Sequence, residues 1–124
     1  MTARDNRASA AAADCPADIL DRAHLARYTM ENPELEREII DLFLQQLPAT
    51  LAMLREARSL SDWKLATHTL KGSAAAIGAT EINGLAAALE RCAYAAGGSG
   101  NDHQIAVIEA AASRFREAVL RIFG

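Results

Sequence analysis

Aromatic residues make up only 5% of this 124-residue chain, and proline occurs three times, glycine seven times and cysteine twice. Hydrophobic residues reach 51%, but nearly half of them are alanine. Alanine is the best helix former, and sheets draw on aromatic and β-branched residues, so the scarcity of aromatics argues for closely packed helices over a sheet. Cys15 and Cys92 lie far apart, one in a candidate tail and one in a candidate helix, which fits reduced thiols in a cytoplasmic protein better than a disulfide framework. No run of about 20 apolar residues is present, so no membrane span is expected. The alanine run from Ala8 to Ala13 lacks the leucine-rich core of a signal peptide. Charge of one sign is also missing. Thirteen basic and sixteen acidic residues are interspersed to a net −3, which gives no nucleic-acid footprint. The chain contains no Gly-rich phosphate loop and no kinase-type ATP motif. His24 and His103 have no companion ligand at i+3 or i+4, and the Glu-x-x-His pattern of di-iron bundles is absent, so no metal site is expected.

What is present is helical periodicity. Residues 1–17 are small, polar and alanine-rich, and read as a disordered or loosely helical leader; residues 18–124 read as one domain. Ile19, Leu20, Ala23, Leu25 and Tyr28 suggest a short helix ending near Met30. Asn32-Pro33 is a helix start, with an N-cap residue, proline at the first helical position and acids in the first turn. Ile40, Leu44, Leu47, Leu51 and Leu54 then form a stripe, widened by Ile39, Leu42 and Phe43. Pro48 inside this stripe predicts a bend without a break, because the period continues in phase. The helix is expected to end at about residues 58–60, and Ser61-Asp62-Trp63 to open a third helix ending near Ile77 or Gly78. Thr80-Glu81 starts a fourth, with Ile82, Leu85, Leu89, Cys92 and Ala96 as its stripe. Residues 97–101, Gly-Gly-Ser-Gly-Asn, are the clearest loop. A fifth helix from about Asp102 carries Ile105, Ile108, Ala112, Phe115, Val119 and Ile122 at a/d-type spacing. Short connections between long amphipathic helices favour antiparallel neighbours. The expected fold is all-α: an up-down four-helix bundle with a short additional N-terminal helix.

One stretch, residues 66–79, does not read as an ordinary helix. At about 100° per residue, Ala66, Leu70, Ser73, Ala74 and Ile77 share one side, and His68, Lys71, Gly72, Ala75 and Ala79 share the other. Glycine in a helix interior costs about 1 kcal/mol relative to alanine, so Gly72 on the face of His68 requires a reason outside the core. A bare face leaves an imidazole nitrogen open to something bulky, and Lys71, at i+3, places an ammonium beside any anion formed there. Nucleophile, cation and open access together point to phosphoryl chemistry.

His68-Thr69-Leu70-Lys71-Gly72-Ser73, followed by Ile77-Gly78-Ala79, resembles the H-x-L-K-G-S/A…G-A signature of the histidine-containing phosphotransfer domains, helical-bundle carriers of phosphorelays. The resemblance fixes six or seven residue types over twelve positions. It implies that His68 accepts a phosphoryl group from a receiver-domain aspartate, in a hybrid sensor kinase or a response regulator, and passes it to another. It also implies that Lys71 steadies the phosphoryl charge. The chain would be a carrier and not an enzyme, with no cofactor of its own; Mg2+ would come with the partner's acidic pocket. The short N-terminal helix would cap one end of the bundle.

Gly72, Leu65, Ala75 and Ala79 are the residues expected to give partner access and docking, with Leu65 open to a second reading as an edge of the core. Ser73 falls on the inner side of the motif, where its hydroxyl could bond the backbone one turn earlier. Lys64 projects near the face of His68 and either adds positive potential or is a plain surface charge. In several family members a glutamine 22 residues beyond the histidine orients the ring; here that position is Glu90. A carboxylate could accept from the imidazole N–H in the same way, but would repel a bound phosphoryl group, and an exposed helix glutamate is the alternative reading. A non-phosphorylated helical adaptor binding a receiver or kinase by shape is the competing function. A third possibility is the phosphate-accepting domain of a larger chemotaxis-type kinase, against which the initiating Met1 and the ending at Gly124 weigh. The expected protein is a cytoplasmic monomer without nucleic-acid or membrane partners.

Overall fold

The computed structural model describes residues 19–92, 94 and 101–123. The leader assigned to residues 1–17, Cys15, Ala96 and most of the 97–101 loop lie outside them. The described residues form five helices and no strand: α1 (Arg22–Tyr28), α2 (Pro33–Glu56), α3 (Leu60–Ile77), α4 (Thr80–Arg91) and α5 (Asp102–Phe123).

Local chemistry sets each boundary. Asn32 caps α2, its side-chain oxygen accepting from the Glu34 and Leu35 amides at 3.0 and 3.2 Å, with Pro33 in the first turn where no donor is needed. The helix runs unbroken through Pro48 to Glu56. It ends earlier than expected, and α3 starts at Leu60, one residue before the expected Ser61. Ser59 is the cap: its hydroxyl accepts the Asp62 amide at 3.0 Å, while Asp62 reaches back to the Arg58 amide at 3.2 Å. This reciprocal exchange is close to a capping box, placed two residues earlier than the Ser61–Lys64 pair that lacks one. At the other end of α3, Gly78 adopts φ +84°, and the Ala79 amide closes back on the Ala74 carbonyl at 2.9 Å. A left-handed residue at this point ends the helix, and glycine adopts that conformation without a Cβ penalty.

In the packed arrangement α3 lies against α2 and α4, and α5 closes onto α4 and α2, while α1 touches α2 and α3. The expected stripes supply the core: Ile40, Phe43, Leu47 and Leu54 from α2, Ile82 and Leu89 from α4, and Ile105, Ile108, Phe115 and Val119 from α5 are all buried. Phe43 and Phe115 meet edge to face at 5.3 Å between α2 and α5, a favoured aromatic geometry. Leu42 and Tyr28 depart from the expected core faces. They are 54% and 53% exposed, because each sits beyond the edge of its helix's buried arc.

Buried Trp63 fixes the α3/α4 pair by donating its indole N–H to the Leu89 carbonyl at 3.3 Å. The end of α3 is held by the short helix. The Asp21 amide donates to the Gly78 carbonyl at 2.8 Å, and His24 Nε2 contacts the Ala76 carbonyl at 2.9 Å. The consequence is a third helix anchored along one side and at its C-terminus, with its other side left uncovered by the described residues.

Candidate functional site

Trp63, Ala66, Thr67, Leu70, Ala74 and Ile77 are the buried residues of α3. Their three- and four-residue spacing turns one stripe inward. By the same geometry Lys64, Leu65, His68, Gly72 and Ala75 are exposed. The His68 side chain is 71% exposed, and Leu65 is 59% exposed. A Cβ built on Gly72 would meet nothing within 4 Å among the described residues, so its glycine is not required by packing against them.

Beside His68 stands Glu90 from α4. One carboxylate oxygen lies 3.6 Å from His68 Nδ1, and the other accepts from Lys71 Nζ at 2.7 Å. Glu90 therefore bridges the two residues of the motif that carry chemistry. The hydrogen bond from the Lys71 ammonium holds the Glu90 carboxyl below its ordinary value, opposed by partial desolvation and helped further by the charges of Lys71 and His68. A carboxylate on the Nδ1 side favours the neutral tautomer with its proton on Nδ1, in which the lone pair is on Nε2.

The other expected site residues divide. Gly72, Leu65 and Ala75 share the exposed face with His68. Leu65 also borders a shallow cavity of about 190 Å³ with Met53, Glu56, Ala57 and Asp62. Ala79 does not belong to that face. It is fully buried, because the chain leaves the helix at Gly78 and the 100° step no longer applies beyond it. Ser73 is half-buried and lines a small cavity together with Phe43, Gln46, Leu47, Thr50 and Leu70, on the inner side as expected. Lys64 is an exposed residue one turn before His68, and its carbonyl accepts the buried Thr67 hydroxyl at 3.2 Å. The pairing of Lys71 with Glu90 is the feature that sequence reasoning missed. Its only signal was opposite charge on consecutive helices, which says nothing about register. Among the described residues no group of three or more His, Cys, Asp or Glu could hold a metal ion, and no helix is long and apolar enough to cross a membrane.

The site is thus an exposed histidine on a helical scaffold, joined to the lysine three residues on by one carboxylate from the next helix. The family model for the Hpt domain matches residues 38–118, which include His68, Lys71 and Glu90, and the chain belongs to that family. No curated protein and no solved structure matches it. Hpt domains act in the phosphorelays of two-component systems, where they exchange phosphoryl groups with receiver domains and kinases.

Proposed function

We propose that His68 is the phosphoacceptor of this domain, and that it takes a phosphoryl group from a receiver-domain aspartate and hands it to another. The observation that supports this most is the His68 imidazole, 71% exposed, with the Glu90 carboxylate 3.6 Å from its Nδ1. In transfer, the Nε2 lone pair attacks phosphorus, an N–P bond forms, and the P–O bond to the aspartate breaks with the electron pair leaving on the carboxylate. Nδ1 keeps its proton, so the phosphorylated ring is an imidazolium whose positive charge faces the Glu90 carboxylate. Lys71, within reach of the same patch, supplies positive charge to the transferred group. Gly72 and Ala75 keep the approach clear, and Leu65 offers the apolar contact on which a receiver would sit.

Four long helices packed in sequence, with three-residue and two-residue links at 57–59 and 78–79, support an antiparallel up-down bundle capped by α1. In this reading residues 18–124 are the phosphotransfer domain behind a leader, and the protein is a cytoplasmic monomer that draws its phosphate from a partner and uses no ATP itself.

The test is direct. Mixing the protein with a receiver domain phosphorylated by acetyl phosphate should place an acid-labile, base-stable phosphoryl group on it. Equal labelling of folded His68→Gln and wild type would rule out this assignment.

A further inference from the structure

Resting on the assignment of His68 as phosphoacceptor, we propose that the groove between the end of α2 and the start of α3 selects the receiver domain, by taking one lysine or arginine side chain of the receiver between Glu56 and Asp62.

The groove is a cavity of about 190 Å³ lined by Met53, Glu56, Ala57, Asp62 and Leu65. An engineered cavity of about 150 Å³ takes up benzene, so this one has room for a single side chain. Its apolar part, Met53 and Leu65, is exposed and suits the methylene stem of a long basic residue, whose charged end would reach the two carboxylates. The groove also adjoins the transfer site. Leu65 lies about one helical turn before His68 on α3, and Asp62 lies about 9 Å before it along the axis. A receiver seated over His68 can therefore fill the groove.

Glu56 works against the fold. It is the last residue of α2, where the negative end of the helix dipole disfavours a carboxylate. The cations beside it are otherwise placed: Arg55 is held by Glu109, and Arg58 meets Asp62 through its backbone amide. Asp62 has a structural task in that bond and in the first turn of α3. Among the described residues no side-chain hydrogen bond or ion pair holds Glu56. A carboxylate set where it weakens the helix, unpaired and beside a groove sized for one side chain, is arranged for an incoming cation.

The experiment uses the full chain and a receiver domain that phosphorylates it, and reads two quantities: the receiver concentration at half-maximal transfer and the urea midpoint of unfolding. Glu56→Gln should raise the first about two- to tenfold and also raise the second, so that docking weakens while the fold gains. A merely structural residue would move both toward loss. Glu56→Lys should weaken docking further, and both effects on docking should shrink at high salt. Reversing one lysine or arginine of the receiver to glutamate should restore docking with Glu56→Lys. A half-maximal concentration unchanged in both variants, or raised only by Leu65→Ser, overturns the proposal and leaves the His68 assignment standing, as does a receiver scan in which no reversal rescues Glu56→Lys. A wild-type chain that takes up no phosphoryl group overturns the assignment and the proposal together.

Discussion

The Asp21 amide donates to the Gly78 carbonyl at 2.8 Å, which locks the short first helix onto the end of the helix that carries His68. A Cβ at residue 78 would lie 2.8 Å from the Asp21 carbonyl oxygen, closer than real Cβ atoms approach backbone. With φ at +84°, Gly78→Ala should lose about 1–3 kcal/mol in urea unfolding. A loss below about 0.5 kcal/mol would show that this junction is not under the constraint described.

Gly72 is the opposite case. It lies in the interior of a helix with open space around it, so Gly72→Ala should stabilise the protein by about 0.5–1 kcal/mol. Gly84, with equal space on α4, should give a similar gain. The two should separate in function: Gly72→Gln slows phosphoryl transfer in a folded protein, whereas Gly84→Gln does not. Unchanged rates in Gly72→Gln would remove the access argument.

Trp63 ties α3 to α4 and so sets where His68 stands relative to Glu90. It is 1% exposed, and Trp63→Ala should cost about 3–5 kcal/mol by denaturant unfolding. Trp63→Phe should cost less, retaining most of the packing while leaving the Leu89 carbonyl without its indole donor.

Arg55 grips Glu109 with two hydrogen bonds of 2.7 and 2.5 Å between α2 and α5, and this holds the Glu109 carboxyl below its ordinary value of 4.5. A depressed carboxylate adds stability that is fully present above its unfolded value and disappears as pH falls through its folded value. Wild type should therefore exceed Glu109→Gln in stability at pH 7, and the gap should narrow as pH falls below 4.5. A constant gap across that window would mean that the side chain acts through packing.

The stripes of Ile40, Leu47 and Leu54, of Ile82 and Leu89, and of Ile105, Ile108 and Phe115 were legible because helical period alone decides which side is buried. His68 and Gly72 were legible for the same reason. The start of α3 was less so: Ser59 and Ser61 both offer a hydroxyl, and only Ser59 has an acid three residues on. Ala79 was misplaced because a periodic argument cannot know where the period stops, although Gly78 marks the place. The contact of Lys71 with Glu90 was beyond sequence reasoning, since it depends on the register between α3 and α4 that Trp63 and Leu89 establish.

The central claim is that His68 carries the phosphoryl group, and site mapping tests it most directly. After exposure to a phosphorylated receiver domain, the protein is digested at alkaline pH and its phosphopeptides are sequenced by mass spectrometry, with His24→Gln and His103→Gln as companions. The account predicts phosphate on the peptide containing His68, in wild type and in both companion variants, and none in His68→Gln. Phosphate on His24 or His103 in its place, or label that survives in folded His68→Gln, would contradict it.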